Sequence, residues 1–161
     1  MARALIVGCG CRGRELGAKL AGRGWQVRGT SRVEEALREI GAAGIEAAQA
    51  DPERPGMVLE LCGDASVVVW LLGSAEGEAG DVEAIHGPRL ERLLEKLVDS
   101  PVRGFAYEAA GTVAADCLDR GRRIVEEAGE RWRIPIAMIT GDRGSPGWAE
   151  RAASTVAGLL A

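Results

Sequence analysis

The chain has 161 residues, of which 47% are hydrophobic and 27% are charged, and its formal net charge is −4. This balance is typical of one globular domain with a buried core, and it excludes a disordered chain. No run of 18 apolar residues occurs, so no membrane span is predicted, and no broad basic surface for nucleic acid is expected.

Strand and helix patterns alternate along the whole chain. Strands are expected at 3–8, 26–30, 45–50, 67–72, 102–107 and 134–140, and helices at 11–23, 33–42, 55–62, from 88 onward, 113–129 and 147–160. The run 67–72 is apolar throughout, as expected of a strand buried on both faces. The alternation predicts an α/β fold, a doubly wound parallel six-stranded sheet of order 3-2-1-4-5-6 in a single domain, 1–161.

A glycine-rich turn, Gly8-Cys-Gly10-Cys-Arg-Gly13, joins the first strand to the first helix. In this G-x-G-x-x-G pattern Gly8 makes the tight turn, Gly10 lets a pyrophosphate approach the backbone, and Gly13 lets the helix lie close to the strand. The helix N-terminus offers free N–H groups to phosphates. The pattern therefore predicts a dinucleotide site that includes Cys11 and Arg12; the alternative is a strand–helix turn without a ligand.

The end of the second strand indicates which dinucleotide is bound. NAD sites usually place an acid there for the ribose 2′-hydroxyl, whereas this chain has Thr30, Ser31 and Arg32, and the next acid along the chain is Glu34. Arginine can hold a 2′-phosphate with two parallel hydrogen bonds, and Arg12 can reach the same phosphate or stack on the adenine. The prediction is NADP(H), with NAD(H) less favoured; the alternative for Arg32 is a solvated residue at the helix start.

Other loops at the carboxyl ends of the strands complete the predicted crevice. Asp51, after the third strand, can accept a hydrogen bond from the adenine amino group, cap the next helix, or do both. The end of the fourth strand contributes Leu71, Leu72 and Gly73. The long, acidic segment 72–87 is interpreted as a mobile lid, or alternatively as a simple connection.

The single histidine and the four cysteines give weaker signals. His86 ends the segment 72–87, where it is either an acid–base group or a structural residue. The spacing of the cysteines resembles neither a disulfide framework nor a zinc site. We therefore expect no bound metal, and we expect a cytoplasmic, reducing compartment. Cys11 lies at a helix N-terminus, which favours a reactive thiol.

With these residues placed, the chain resembles the extended and atypical branch of the short-chain dehydrogenase/reductase superfamily, reduced to its NAD(P)-binding Rossmann core. The resemblance covers nearly the whole length. It rests on the glycine turn, on Gly29-Thr-Ser-Arg32, on Asp51, and on the helix 87–96 followed by the strand 102–107. It implies NADP(H) binding and, in many members, reduction or epimerisation of small or sugar-nucleotide substrates.

One departure concerns the family's catalytic pair, Tyr-x-x-x-Lys. The only tyrosine is Tyr107, the residue four positions on is Gly111, and the only lysines are Lys19 and Lys96. Tyr107 is therefore predicted not to be a proton donor, and its hydroxyl is expected at the edge of the crevice. No part of these 161 residues is expected to form the C-terminal substrate domain that the family usually has.

Two functions remain open. The chain is either a cofactor-binding or redox-sensing module without turnover, or a small NADP(H)-dependent oxidoreductase or epimerase with unusual acid–base groups. Candidates for that role are Glu108, His86, Thr112 and Arg143. A homodimer is also expected, because the last helix carries Trp148, Val156 and Leu159, and the helices from 88 onward and at 113–129 carry further apolar stripes; the alternative is that these residues simply cover the sheet.

Overall fold

The computed structural model describes residues 1–161 and contains one parallel six-stranded sheet of order β3-β2-β1-β4-β5-β6. Sheet topology and fold class are those that the sequence predicts, an α/β single domain with helices on both faces. The strands are β1 Arg3–Val7, β2 Gln26–Ser31, β3 Glu46–Gln49, β4 Val67–Trp70, β5 Gly104–Glu108 and β6 Ile136–Ile139.

Seven helices flank the sheet. They are α1 Cys11–Gly22, α2 Glu34–Ala42, α3 Pro55–Glu60, α4 Ala79–Ile85, α5 Pro88–Leu97, α6 Ala115–Trp132 and α7 Trp148–Gly158. The sequence does not predict α4, which forms inside the segment interpreted as a lid. None of the seven helices combines the length and the hydropathy that a membrane crossing requires.

The side-chain alternation of each strand divides the core into two layers. In β1, Leu5 and Val7 enter the layer that α3, α5 and α6 cover, whereas Ala4 and Ile6 enter the layer under α1, α2 and α7. All four residues of β4 are buried, as expected for a central parallel strand. Full burial of each Leu or Ile contributes about 1.5–3 kcal/mol, so both layers stabilise the sheet that carries the site.

The apolar sides of the helices pack against this core. The leucines of α5 are at most 2% exposed, and in α7 Trp148 and Val156 are 2% and 0% exposed. These side chains cover the sheet of their own chain and do not form a free face. The apolar stripe on which the expected homodimer was based is therefore largely used within one chain.

Candidate functional site

The cleft that contains most of the predicted residues, the main cleft, lies where β1, β2 and β4 end, at the carboxyl edge of the sheet. Its volume is about 260 Å³, and α4 lies along one side of it through Asp81, Val82 and Ile85. Seven of the residues predicted to bind a dinucleotide line it: Gly8, Gly10, Thr30, Ser31, Arg32, Leu71 and Leu72. The sheet brings these three separate stretches of sequence to one place, because parallel strands end at the same edge.

The glycine turn has the backbone that its pattern predicts. Gly8 has a φ of +86°, and a Cβ there would lie 2.6 Å from Leu72 Cδ2 and 2.7 Å from the Leu71 carbonyl oxygen. A Cβ on Gly10 would meet no atom within 4 Å, so its backbone is open on the cleft side. A Cβ on Gly13 would lie 3.2 Å from Cys9 Sγ, which explains the close packing of α1 on the sheet.

Helix α1 starts within this turn, at Cys11, and no side chain caps it. The first N–H groups of a helix have no partner within the helix, and the helix dipole gives that end a partial positive charge. No acidic residue occurs in the first turn of α1. This end of the helix can therefore accept a phosphate group.

The two hydroxyls at the end of β2 are already engaged in the loop. Thr30 is 1% exposed, and its Oγ1 accepts a hydrogen bond from the Gly8 N–H at 3.3 Å. Ser31 Oγ accepts from the Val33 N–H at 3.1 Å, which forms a turn before α2. These side chains hold the glycine turn and the start of α2 in place, a role that the sequence analysis did not assign to them.

Arg32 stands among carboxylates. Its side chain is 53% exposed, and its Nη1 lies 3.8 Å from Glu53 Oε2. Reduced hydration of Glu53, together with the neighbouring Asp81 and Asp51 carboxyls, raises the pKa of Glu53 above its ordinary value. Sequence reasoning missed this cluster because Asp81 belongs to the unpredicted α4.

Other predicted residues lie outside the main cleft. Arg12 forms an ion pair with Glu15 at 3.0 Å and lines a second cleft, described below. Asp51 Oδ1 accepts a hydrogen bond from the Glu53 N–H at 2.9 Å, so the Asp51 side chain closes a turn with the residue two positions on and does not cap α3. Cys11 is exposed at the start of α1.

A buried ion pair crosses the carboxyl ends of β4, β5 and β6. Glu108 is 1% exposed, and Arg143 binds its carboxylate through Nε at 2.7 Å and Nη2 at 2.8 Å. The Gly73 N–H donates a third hydrogen bond to Glu108 at 2.7 Å, and Arg143 Nη2 also donates to the Leu71 carbonyl at 3.2 Å. Both residues were candidates from the sequence, but their pairing was not foreseen.

The loops after β4 and β5 are joined at this point. A Cβ on Gly73 would lie 2.0 Å from the Ala110 carbonyl oxygen, and one on Gly111 would lie 2.1 Å from the Gly73 oxygen. The Val113 N–H donates to the Gly73 carbonyl at 2.9 Å. Only glycines allow this approach, so Gly73 acts in packing the two loops together.

His86 and Tyr107 form a hydrogen-bonded pair in the interior. His86 is 0% exposed; its Nδ1 lies 2.6 Å from the Tyr107 hydroxyl and its Nε2 lies 2.9 Å from the Leu72 carbonyl oxygen. The expectation that the Tyr107 hydroxyl lies at the crevice edge is wrong: the ring is 0% exposed and points into the core under α6. His86 accordingly occupies the structural role that the sequence left open.

All four cysteines are free. Burial raises the pKa of the Cys9 thiol to about 11 and that of Cys62 to about 12, so both are unreactive interior groups. No group of three or more His, Cys, Asp or Glu side chains is arranged to hold a metal ion.

Comparison with known proteins gives structural neighbours only. Neither a protein-family model nor a curated protein matches this sequence. Among solved structures, UDP-glucose 4-epimerase from Thermotoga maritima, determined with UDP-glucose, is 14% identical and has a TM-score of 0.70; the match covers 89% of this chain and 58% of the epimerase.

Two further neighbours were determined with nicotinamide dinucleotides. Triphenylmethane reductase from Citrobacter sp., in complex with NADP(H), is 15% identical with a TM-score of 0.64, over 86% of this chain and 49% of the reductase. UDP-glucuronic acid 4-epimerase from Bacillus cereus, in complex with NAD, is 15% identical with a TM-score of 0.65, over 89% of this chain and 59% of the epimerase.

These similarities establish the Rossmann-like fold. The chain spans about half to three-fifths of the length of the proteins it matches. Sequence identities of 14–15% support a shared arrangement of strands and helices, but they do not indicate which substrate is bound.

Proposed function

We propose that the main cleft binds a nicotinamide dinucleotide, NADP(H) in preference to NAD(H), and that the chain acts as a cofactor-binding or redox-sensing module. The observation that carries the proposal is the glycine turn at the uncapped start of α1. Gly10 leaves its backbone open to the cleft, and any side chain at Gly8 would collide with Leu71 and Leu72. This is the cradle that a pyrophosphate requires.

Arg32, at the end of the cleft where the adenosine is expected, supports NADP(H). Arg32 is half-exposed at the cleft and its contact with Glu53, at 3.8 Å, is long for an ion pair. A 2′-phosphate would offer that guanidinium a closer, charge-assisted partner. The neighbours bind NADP(H) in one case and NAD in another, so the preference depends on this chain's own Arg32.

The burial of Tyr107 supports a module without the usual turnover. A bound nicotinamide supplies or accepts a hydride, and enzymes add a group that moves a proton beside it. Tyr107 is enclosed with His86, and burial raises the pKa of its phenol above the ordinary value. The chain's residues would then bind and orient the cofactor without providing a tyrosine for proton transfer.

The second candidate function is a small oxidoreductase or epimerase with other acid–base groups. It is favoured by the Glu108–Arg143 pair, which places a carboxylate and a guanidinium at the carboxyl ends of β5 and β6. Assaying NADPH oxidation with small aldehydes, ketones and nucleotide sugars separates the two functions. Steady turnover with any of them would favour the enzyme.

Titration of NADPH and NADH by fluorescence tests the cofactor assignment. We expect NADPH to bind at least about tenfold more tightly, which corresponds to about 1.4 kcal/mol and is within reach of one charge-assisted contact. Arg32→Ala should remove the preference. Arg38→Ala is the matched control, because Arg38 is exposed on α2 and does not line the cleft.

Equal affinities for the two cofactors in the wild-type protein would contradict the preference for NADP(H). Absence of binding for both would contradict the whole proposal.

A further inference from the structure

Arg143 is held rigidly by buried partners. Its Nε and Nη2 bind the two oxygens of Glu108 at 2.7 and 2.8 Å, in the parallel geometry that fixes a guanidinium most firmly. Glu108 in turn is 1% exposed and anchored by the Gly73 N–H. The guanidinium plane is therefore set before any ligand arrives.

One nitrogen of this guanidinium remains available. Arg143 Nη1 donates no hydrogen bond within the chain, since the bonds of Arg143 all come from Nε and Nη2. The side chain is 24% exposed. Because arginine stays charged at all ordinary pH values, Nη1 offers two permanent donors.

Arg143 forms the wall between two clefts. It lines the main cleft from the loop after β6, whereas Arg32 lines it from the end of β2, and it also lines a second cleft of about 370 Å³ between the start of α1 and the start of α7. The carboxylates in the second cleft already have partners: Glu15 pairs with Arg12 at 3.0 Å, and Glu150 pairs with Arg23 at 2.7 Å. They therefore do not compete for the free N–H groups of Arg143 Nη1, although Glu108 already balances the charge of the guanidinium as a whole.

Helix α7 adds two features to this cleft. Its N-terminus lies in the wall and no side chain caps it, and the acidic residue in its first turn, Glu150, is paired with Arg23. Trp148, also in the wall and 2% exposed, has a buried indole Nε1 without a hydrogen-bond acceptor. A buried donor without an acceptor is unfavourable, but Nε1 has no accessible surface in the cleft, so an occupant would reach it only after a shift of the wall.

We propose that the second cleft binds a small molecule carrying a carboxylate or a phosphate, and that Arg143 Nη1 holds this anion. Glu108 is then a positioning residue, which acts through Arg143. Where the proposed function also holds, the anion stands beside the nicotinamide end of the cofactor, so the partner of the cofactor is an anionic metabolite; only this last statement rests on that function.

The test titrates inorganic phosphate and malonate, which represent the two anion classes, into the folded protein by calorimetry at constant ionic strength. The proteins are the wild type, Arg143→Gln, Arg143→Lys and the control Arg103→Gln. Arg103 is exposed next to β5 at the opposite edge of the sheet. Each titration is repeated with saturating NADPH, and circular dichroism checks that each variant is folded.

We expect saturable binding of at least one anion, with and without NADPH. Arg143→Gln should weaken it by about tenfold or more, and Arg103→Gln should leave it unchanged. Arg143→Lys keeps the charge but loses the planar fork, so about a threefold weakening or more is expected, and this variant serves if Arg143→Gln does not fold. Tighter binding of phosphate or of malonate identifies the class.

Three results would overturn the proposal: no saturable binding of either anion, equal affinity in the Arg143 variants, or displacement of the anion by NADPH, which would place it at the glycine turn. A wild type that binds no NADPH but binds an anion through Arg143 would overturn only the proposed function.

Discussion

At the residue scale, the Tyr107–His86 pair has a definite arrangement of protons. The Leu72 carbonyl can only accept, so His86 Nε2 carries the ring proton and Nδ1 accepts from the Tyr107 hydroxyl. Burial lowers the pKa of His86 and raises that of Tyr107, so both are neutral near pH 7. The pair links the end of α4 to β5 from inside the core.

The first prediction concerns Tyr107 itself. Because it is the only tyrosine, its phenolate absorbance near 295 nm reports one group. In the folded protein we expect no ionisation up to about pH 10, the ordinary pKa of the group, and we expect the phenolate absorbance to appear on denaturation.

Tyr107→Phe should lower the free energy of unfolding by about 1–3 kcal/mol, because His86 Nδ1 loses its donor. NADPH affinity should stay within a factor of about ten; a thousandfold loss of affinity or of any turnover would mean that Tyr107 acts at the site.

The second prediction follows from the lowered pKa of His86. The unfolded chain takes up a proton near pH 6.5 while the folded chain does not, so the contribution of His86 to stability is complete above that pH and is lost as pH falls. The loss is about 1.4 kcal/mol per pH unit between the unfolded and folded pKa values. Urea unfolding at pH 7.5 and 5.5 measures it, and His86→Gln should show a smaller difference. An equal pH dependence in the two proteins would contradict this.

At the element scale, the predictable features are those that depend on local pattern. The strand order followed from six apolar runs separated by helices, and the glycine turn from residues 8–13. Helix α4 was missed because its sequence, AGDVEAI, contains a glycine and buries only Ile85. The pairs Glu108–Arg143 and His86–Tyr107 were not predictable, because they join residues 35 and 21 positions apart. Their partners meet only when the sheet forms.

The third prediction compares two glycines of the turn. Gly8→Ala places a Cβ 2.6–2.7 Å from Leu71 and Leu72 at a positive φ, so we expect a loss of stability of about 1–3 kcal/mol. Gly10→Ala meets no atom of the chain, so stability should change by less than about 1 kcal/mol. NADPH affinity should nevertheless fall at least about tenfold, since the methyl group blocks the approach of the pyrophosphate. Thermal unfolding and fluorescence titration check both; full NADPH affinity in Gly10→Ala would count against the proposed site.

At the scale of the whole molecule, the fold collects its polar groups at one edge of the sheet. Arg32 follows β2 and Arg143 follows β6, and both line the main cleft together with glycines of the turn and the carboxylates of Glu53 and Asp81. The cleft therefore contains two guanidinium groups, each beside a carboxylate of Glu53 or Glu108, in a chain whose net charge is −4. Such a distribution suits a ligand with separate anionic parts better than a polyanion.

The last prediction is that the protein is a homodimer. The core uses the apolar stripes of α5 and α7, but a groove of about 220 Å³ remains between α5 and α6, where Ile124 and Trp132 are only partly buried. A two-fold axis through this groove would place the same residues of two chains together, and a stable contact needs about 800 Å² per partner.

Sedimentation velocity at micromolar concentration should give twice the mass of one chain. Trp132→Asp should give monomers, whereas Val33→Asp, at an exposed residue beside the main cleft, should remain dimeric. A wild-type monomer would reject the dimer, and dimers that persist in Trp132→Asp would place the interface elsewhere.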